Sequence, residues 1–412
     1  MIELYGARPL TGESRLLRGV KAVCRSMEIL KQYCIGEVRA TPGTKVFSVE
    51  YDENQKDKEF YECLKQRVGK YFKDNKLNPR FSIEMYVKFA TIMVCLALVT
   101  YGAFFYPFKS FLSSFICAVG LGFFSAEVGL SIQHDANHAA FSTIPFVNKV
   151  VGFTLDAVGA SSFMWKQQHV VGHHAYTNVD GVDPDIRVKD PDVRRVTHNQ
   201  PWQQYQIYQH IYLGALYGLL AVKSIFVDDF SALANGHIGA VPLTRLTAEE
   251  RVVLWAGKVV WSLYYLVLPV VYSPHGMLKL MILWITAQLV TGWMLAFMFQ
   301  VAHVTGDVDF FSEDESNNGR VPRGWAAAQV QTTADFSHGS WFWTHVSGGL
   351  NYQVVHHLFP WVCHMHYPKI APIVLDVCKE YGVKYVVYPT FWAAVQAHFR
   401  YLSAVGKGPK GN

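Results

Sequence analysis

Long apolar runs separated by very short polar turns dominate the pattern of this chain. Four of them, Tyr86–Tyr106, Phe111–Ile132, Val252–Tyr272 and Met277–Gln300, reach the roughly 20 residues a membrane-crossing helix needs. Only Pro107–Ser110 separates the first two, and Ser273, Pro274, His275 and Gly276 separate the second two. The pattern predicts two helical hairpins. Lys258 inside the third run is expected to snorkel to the interface. Two further apolar runs, Val147–Trp165 and Ile211–Val227, are interrupted by Asp156 with several glycines, and by Lys223. They are read as helices lying along the interface. A large soluble helical core is the alternative, and four runs of this length argue against it.

Loop charge supplies an orientation. The two short turns hold one basic residue, Lys109, while the N-terminal segment, residues 133–251 and the tail hold nearly all the others. The positive-inside rule then places those three parts in the cytosol. The expected fold class is an all-α integral membrane protein with four transmembrane helices, interfacial helices and a cytosolic cap. Composition agrees, since charged residues are 17% of the 412, against roughly 25% in soluble domains. A net charge of +5 without a long basic run makes nucleic acid a poor partner. Seven cysteines, scattered and without a paired C-x-x-C spacing, read as reduced thiols. No cleaved signal peptide is visible in the first residues.

Candidate chemistry lies in the histidines. None of the 17 precedes His134. Three groups occur beyond that point: His134-Asp-Ala-Asn-His138, His169-Val-Val-Gly-His173-His174, and Gln353-Val-Val-His356-His357. On a helix, residues three or four apart share a face, so His134 with His138, His169 with His173, and Gln353 with His356 or His357 are expected to point into one cavity. A lone pair of this spacing is more often surface or packing than ligand. Three such groups on one membrane face, supplying seven imidazoles, exceed what one ion uses, and they predict two. His303, at the cytosolic end of the fourth run, is in reach of the same cavity. All-imidazole sites suit iron, copper, zinc or nickel. Beside a bilayer the natural substrates are hydrocarbon chains, and breaking their C–H bonds takes an oxidant made from dioxygen. Zinc has no redox chemistry, so iron is favoured.

These residues resemble the membrane fatty acid desaturase family, and more narrowly its front-end group, from about Phe60 to Tyr401. The resemblance rests on His134-Asp-Ala-Asn-His138, on His169 to Asn178, and on Gly348-Gly-Leu-Asn-Tyr-Gln353-Val-Val-His356-His357-Leu-Phe-Pro360. Asp183-Pro184-Asp185 and Tyr367-Pro368 are also similar. It implies a non-haem di-iron centre on His134, His138, His169, His173, His174, His303, His356 and His357, with Gln353 near the metal or acting through a water. The implied reaction removes two vicinal hydrogens from an acyl chain, between an existing double bond and the carboxyl end, and reduces dioxygen to water. The implied substrate is a coenzyme A- or phospholipid-linked acyl chain. Its electrons would come from cytochrome b5 and its reductase, at the endoplasmic reticulum membrane, with both termini and the histidines cytosolic.

Two departures stand out. Val355 replaces the acidic residue the family usually carries between the glutamine and the histidine pair. Leu30-Lys-Gln-Tyr33-Cys-Ile-Gly36-Glu-Val38 looks like the close of a cytochrome b5-type domain, yet residues 1–133 hold no histidine to bind its haem. Residues 1–80 are thus expected to be a remnant of that domain, 81–405 the desaturase domain, and 406–412 a disordered tail. Electrons would arrive from a separate cytochrome, unless a further N-terminal stretch exists. Asp135, Asp180 and Asp183 are candidates to orient imidazoles, and Trp165, Trp341 and Trp343 to shape an acyl tunnel or anchor at the interface. The rivals are a di-iron lipid hydroxylase, a catalytically inactive homologue, and a metal transporter, which would carry its histidines inside the spans.

Overall fold

The computed structural model of the chain describes residues 49–186, 192–312 and 320–408. The Leu30–Val38 stretch lies outside them, as do the last residues of the tail. Val49–Asn412 form one compact unit. Residues 49–80, expected from sequence to go with the N-terminal segment, therefore belong by contact to the larger body. The reason is helix α1 (Gln55–Asp74), capped at its start by the Asn54 side chain on the Asp57 amide. Its apolar stripe Phe60, Leu64, Val68 and Phe72 packs into one core with Ile370, Val374 and Val377.

Two long apolar helices come next, α2 (Ile83–Phe104) and α3 (Phe111–Asn137). Their outward residues Val87, Val94, Leu98 and Ile116 are 58–64% exposed, which is the signature of a face meeting lipid. α3 runs past the expected end at Ile132 and carries His134 in its last turn. It does so through a π-helical segment, Val128–Gln133. π turns re-aim the residues beyond them and cluster at functional sites. Where an interfacial run was expected, the chain makes a short helix, α4 (Pro145–Gly152), and a single turn, Thr154–Ala157, then breaks at Gly159 with φ +102°. A Cβ at Gly159 would meet the Trp261 ring at 2.9 Å, so a close approach holds that bend.

The second histidine group sits on α5, residues 162–176, whose centre Lys166–His173 is again π-helical. Then come α6 (Gln204–Asn235), α7 (Ala248–Tyr272) and α8 (Met277–His303). Five helices, not four, are thus long and apolar enough to cross a membrane among the described residues. The added one is α6, which extends the expected Ile211–Val227 run at both ends. Both its ends meet segments flanking the second histidine group. Gln206 donates to the Asp192 carbonyl and Gln209 to Arg195, while Asp229 accepts from Ser161. Its middle crosses α8 where Gly218 meets Gly292; a Cβ on Gly292 would lie 2.1 Å from the Gly218 carbonyl. Small residues at such crossings allow close backbone approach. Lys258 does not snorkel: its ammonium donates to Gly159 O at 2.7 Å, Ile225 O at 2.9 Å and Asp229 at 2.6 Å.

After α8 the chain forms the cap. It holds α9 (Trp325–Gln331), α10 (Trp341–Val346), α11 (Gln353–Leu358), α12 (Tyr367–Tyr381) and α13 (Phe391–Gly406). A parallel pair, β1 (Ala334–Phe336) with β2 (Val386–Tyr388), fastens the cap's two ends together. The described cysteines are free thiols.

Candidate metal centre

All eight candidate histidines converge in one cavity between the ends of α3 and α8, helix α5 and helix α11. His134, His138, His169 and His356 bring one nitrogen each within 4.8 Å of one another. His173, His303 and His357 form a second such group, and His174 with His356 and His357 a third that joins them. None exceeds 6% exposure. The π segment changes the pairing expected on α5. With about one more residue per turn, His174 rather than His173 faces His169, their Nε2 atoms 3.2 Å apart. His173 turns instead to the other pocket, its ring 4.6 Å from His303 and 4.9 Å from His357.

Outer hydrogen bonds decide which nitrogen faces the cavity. His169 Nδ1 lies 2.9 Å from Asp185, and His173 Nδ1 lies 2.9 Å from Asp183. His357 Nδ1 donates to the Gln329 amide oxygen at 2.7 Å, and His303 Nδ1 to the Thr332 carbonyl at 3.4 Å. His356 Nδ1 meets the Tyr367 hydroxyl at 3.2 Å. Each contact turns Nε2 inward, the arrangement by which proteins fix metal-binding imidazoles.

The donor set fits metal ions. Nε2 of His134, His138 and His173 is buried with no hydrogen-bond partner. Unpaired buried polar atoms are costly and uncommon, and several converging on one space are relieved by a cation there. Burial, and then neighbouring imidazoles, hold His138, His174, His356 and His357 well below the ordinary histidine range. His169 is lowered for the same reasons. These rings are therefore neutral, as ligands must be. Burial also pulls His173 down, but Asp183 and Asp185 outweigh it and raise it.

The other sequence candidates divide. Gln353 belongs to the site, its amide 2.9 Å from His303 Nε2 and 3.3 Å from His357 Nε2. Asp183 orients His173. Asp135 holds His364 instead, at 2.8 Å, and stands 3.8 Å from His134. Asp180 accepts from Thr197. Trp165 flanks the cavity, its ring 4.5 Å from that of His169. Trp343 stacks on Phe391, and Trp341 is 72% exposed. Sequence reasoning missed Asp185, Gln329 and Tyr367 as orienting groups. Asp185 and Tyr367 stand in motifs already singled out, whereas Gln329 carries no local signal beyond a polar residue in an alanine-rich turn.

Val355 is wholly buried in the core around Tyr352, Leu358 and Phe60. The orientation of its histidine neighbours does not depend on an acidic residue there, because Tyr367 and Gln329 already hold them.

Comparison with known proteins bears on this geometry. The family model described as fatty acid desaturase matches residues 109–389. An acyl-lipid (8-3)-desaturase of Physcomitrium patens is 52% identical over 382 residues, covering 92% of this chain and 78% of that one. A Mortierella alpina protein of the same description is 39% identical, with 85% and 78% covered. An sn-1 linoleoyl-lipid 6-desaturase of Synechocystis is 35% identical, with 84% and 96% covered.

Proposed function

The chain belongs to the fatty acid desaturase family, and from that footing we propose that its eight histidines hold two iron ions. The protein is a multi-pass membrane enzyme, a front-end desaturase that uses dioxygen to place a double bond between an existing one and the carboxyl end of an acyl chain. One observation carries the metal reading: buried, neutral imidazoles in two linked groups, with Nε2 turned inward from outside. Iron, when bound, would supply the activation of dioxygen that the oxidation requires.

The residues of the chain do the rest. The overall change takes two hydrogens from adjacent methylenes, one dioxygen, two electrons and two protons, and yields an alkene and two waters. The electrons come from an external one-electron carrier, for which we favour cytochrome b5 with its reductase. Asp183, Asp185, Gln329, Thr332 and Tyr367 keep the imidazoles aimed. The amide of Gln353 offers a polar group, in place of an imidazole, beside His303 and His357. An apolar cavity of about 360 Å³ lies against α2 and α3, lined by Met93, Leu96, Tyr101, Phe105, Val128 and Tyr264. Val128 is less than two turns from His134, and we infer that this space receives part of the acyl chain.

Four helices cross the membrane in this reading: α2, α3, α7 and α8. His174 and His303 meet in the same cavity, so the chain between them crosses the membrane an even number of times. α7 and α8 supply two crossings. Both ends of α6 contact segments beside the second histidine group, so α6 lies across the bundle and adds none. Loop charge favours a cytosolic histidine cap, and the endoplasmic reticulum is the compartment we favour from the family resemblance.

The names of the relatives point to a lipid-linked chain carrying a double bond at carbon 8, with the new one at carbon 5. Expression in a host fed polyunsaturated acids, with double-bond location in the products, tests this. The expected product has one added double bond at carbon 5. A hydroxylated product without a new double bond would contradict the desaturase reading, and a bond at carbon 6 would correct the position alone.

A further inference from the structure

One buried carboxylate grips the third histidine group without touching any imidazole of that group. Asp335, in β1, has no exposed surface. Its Oδ1 accepts the backbone N–H of Val354 at 2.8 Å. Its Oδ2 accepts from His338 Nε2 at 2.7 Å and from the Tyr385 hydroxyl at 2.5 Å. The strand beneath is fixed in turn, with Asp335 paired in register to Val387. The next turn closes on the far side of Gln353. There Gly339 N–H donates to the Tyr352 hydroxyl at 2.8 Å, and the His338 ring stacks on Tyr352 with centroids 4.6 Å apart. Both neighbours of Gln353 are therefore held by one loop, residues 335–339.

A leucine would fill this space without the cost of burying a charge. It could not hold the Val354 amide in a chosen direction. That amide opens α11, the helix on which Gln353 and His357 face His303.

We propose that Asp335 is a positioning residue for the pocket of His173, His303 and His357. It sets the start of α11 and hence the distance from Gln353 and His357 to His303. The proposal rests on reading that pocket as metal-binding.

Cobalt(II), loaded into the purified full-length protein and monitored by its visible spectrum against a chelator, is the probe. Wild type is expected to take two ions. Asp335→Leu should weaken one of them by ~10–100-fold, while the metal-free protein still unfolds cooperatively near the wild-type temperature. Turnover with the reduced carrier should lose kcat by a similar factor with KM unchanged. Asp335→Asn, which keeps an acceptor for the Val354 N–H, should recover most of both. A folded leucine variant with two ions at wild-type affinity overturns the proposal, as does equal weakening of both ions. Should the leucine variant fail to fold, Tyr385→Phe, which removes one of the two side-chain donors to Asp335, decides: the proposal requires the spectrum of one ion to change, and an unchanged spectrum overturns it. Wild type binding no cobalt would remove the metal reading itself, and the proposal with it.

Discussion

The two histidine pockets share a cavity but are held in different ways. His173, His303 and His357 each have Nδ1 engaged from outside, by Asp183, the Thr332 carbonyl and Gln329. In the other pocket His169 and His356 are so engaged, by Asp185 and Tyr367. Neither ring nitrogen of His134 has a hydrogen-bond partner. Its ring is wedged instead between His356 at 4.4 Å, His138 at 4.9 Å and Trp165 at 5.6 Å. The direction of a ligand can thus come from hydrogen bonds or from walls. Only the first kind is removed cleanly by changing one polar atom.

The largest effect expected breaks either pocket outright. His357→Ala or His134→Ala should abolish desaturation and leave at most one tightly bound metal ion, read by elemental analysis of purified protein. Next come the outer partners, where the pockets should part. Asp183→Asn and Gln329→Leu should each cost ~10–100-fold in metal affinity or turnover, while Trp165→Phe, which keeps a wall, should stay within a few-fold. Equal losses in all three would erase the distinction between bonded and wedged ligands.

The neutral imidazoles also make stability depend on pH. His138, His169, His174, His356 and His357 have folded values below their own unfolded value of about 6.5. Below that pH the unfolded chain binds protons that the folded cavity refuses, so stability falls as pH drops. His173 is raised and works the other way, one ring against five. Thermal unfolding of metal-free protein should move to lower temperature between about pH 7.5 and pH 5.5. A midpoint that stays level or rises would contradict the neutral cavity. The smallest effect belongs to the exposed pair of Arg67 with Glu380, with side chains 43% and 49% exposed. Arg67→Gln should leave both the unfolding midpoint and the metal content close to wild type, because exposed ion pairs contribute little.

Much of the site was legible because its signal is local. His134 and His138, or Gln353 and His357, are one helical turn apart, and apolar runs long enough to span announce themselves by length. The hidden part depends on contacts between distant segments. Gln329 reaches His357 across 28 residues, and Asp335 reaches Val354 across 19. Nothing in their own neighbourhoods marks them. The extent of α6 was hidden for another reason. Lys223 and Asp228 neutralise each other within it, so an apolar helix reads as an interrupted one. The π turn at Lys166–His173 was beyond a reading that assumed α spacing, and it reassigns His173 from the first pocket to the second. Lys258 was misjudged because its partners, Gly159, Ile225 and Asp229, come from other stretches of chain.

The most direct test of a histidine-bound iron pair is the metal content of the enzyme. Protein purified from iron-supplied cells under mild, chelator-free conditions should hold two irons per chain, bound by histidine nitrogen in X-ray absorption, and lose them together with activity. One iron per chain, or zinc in place of iron in an active preparation, would contradict it.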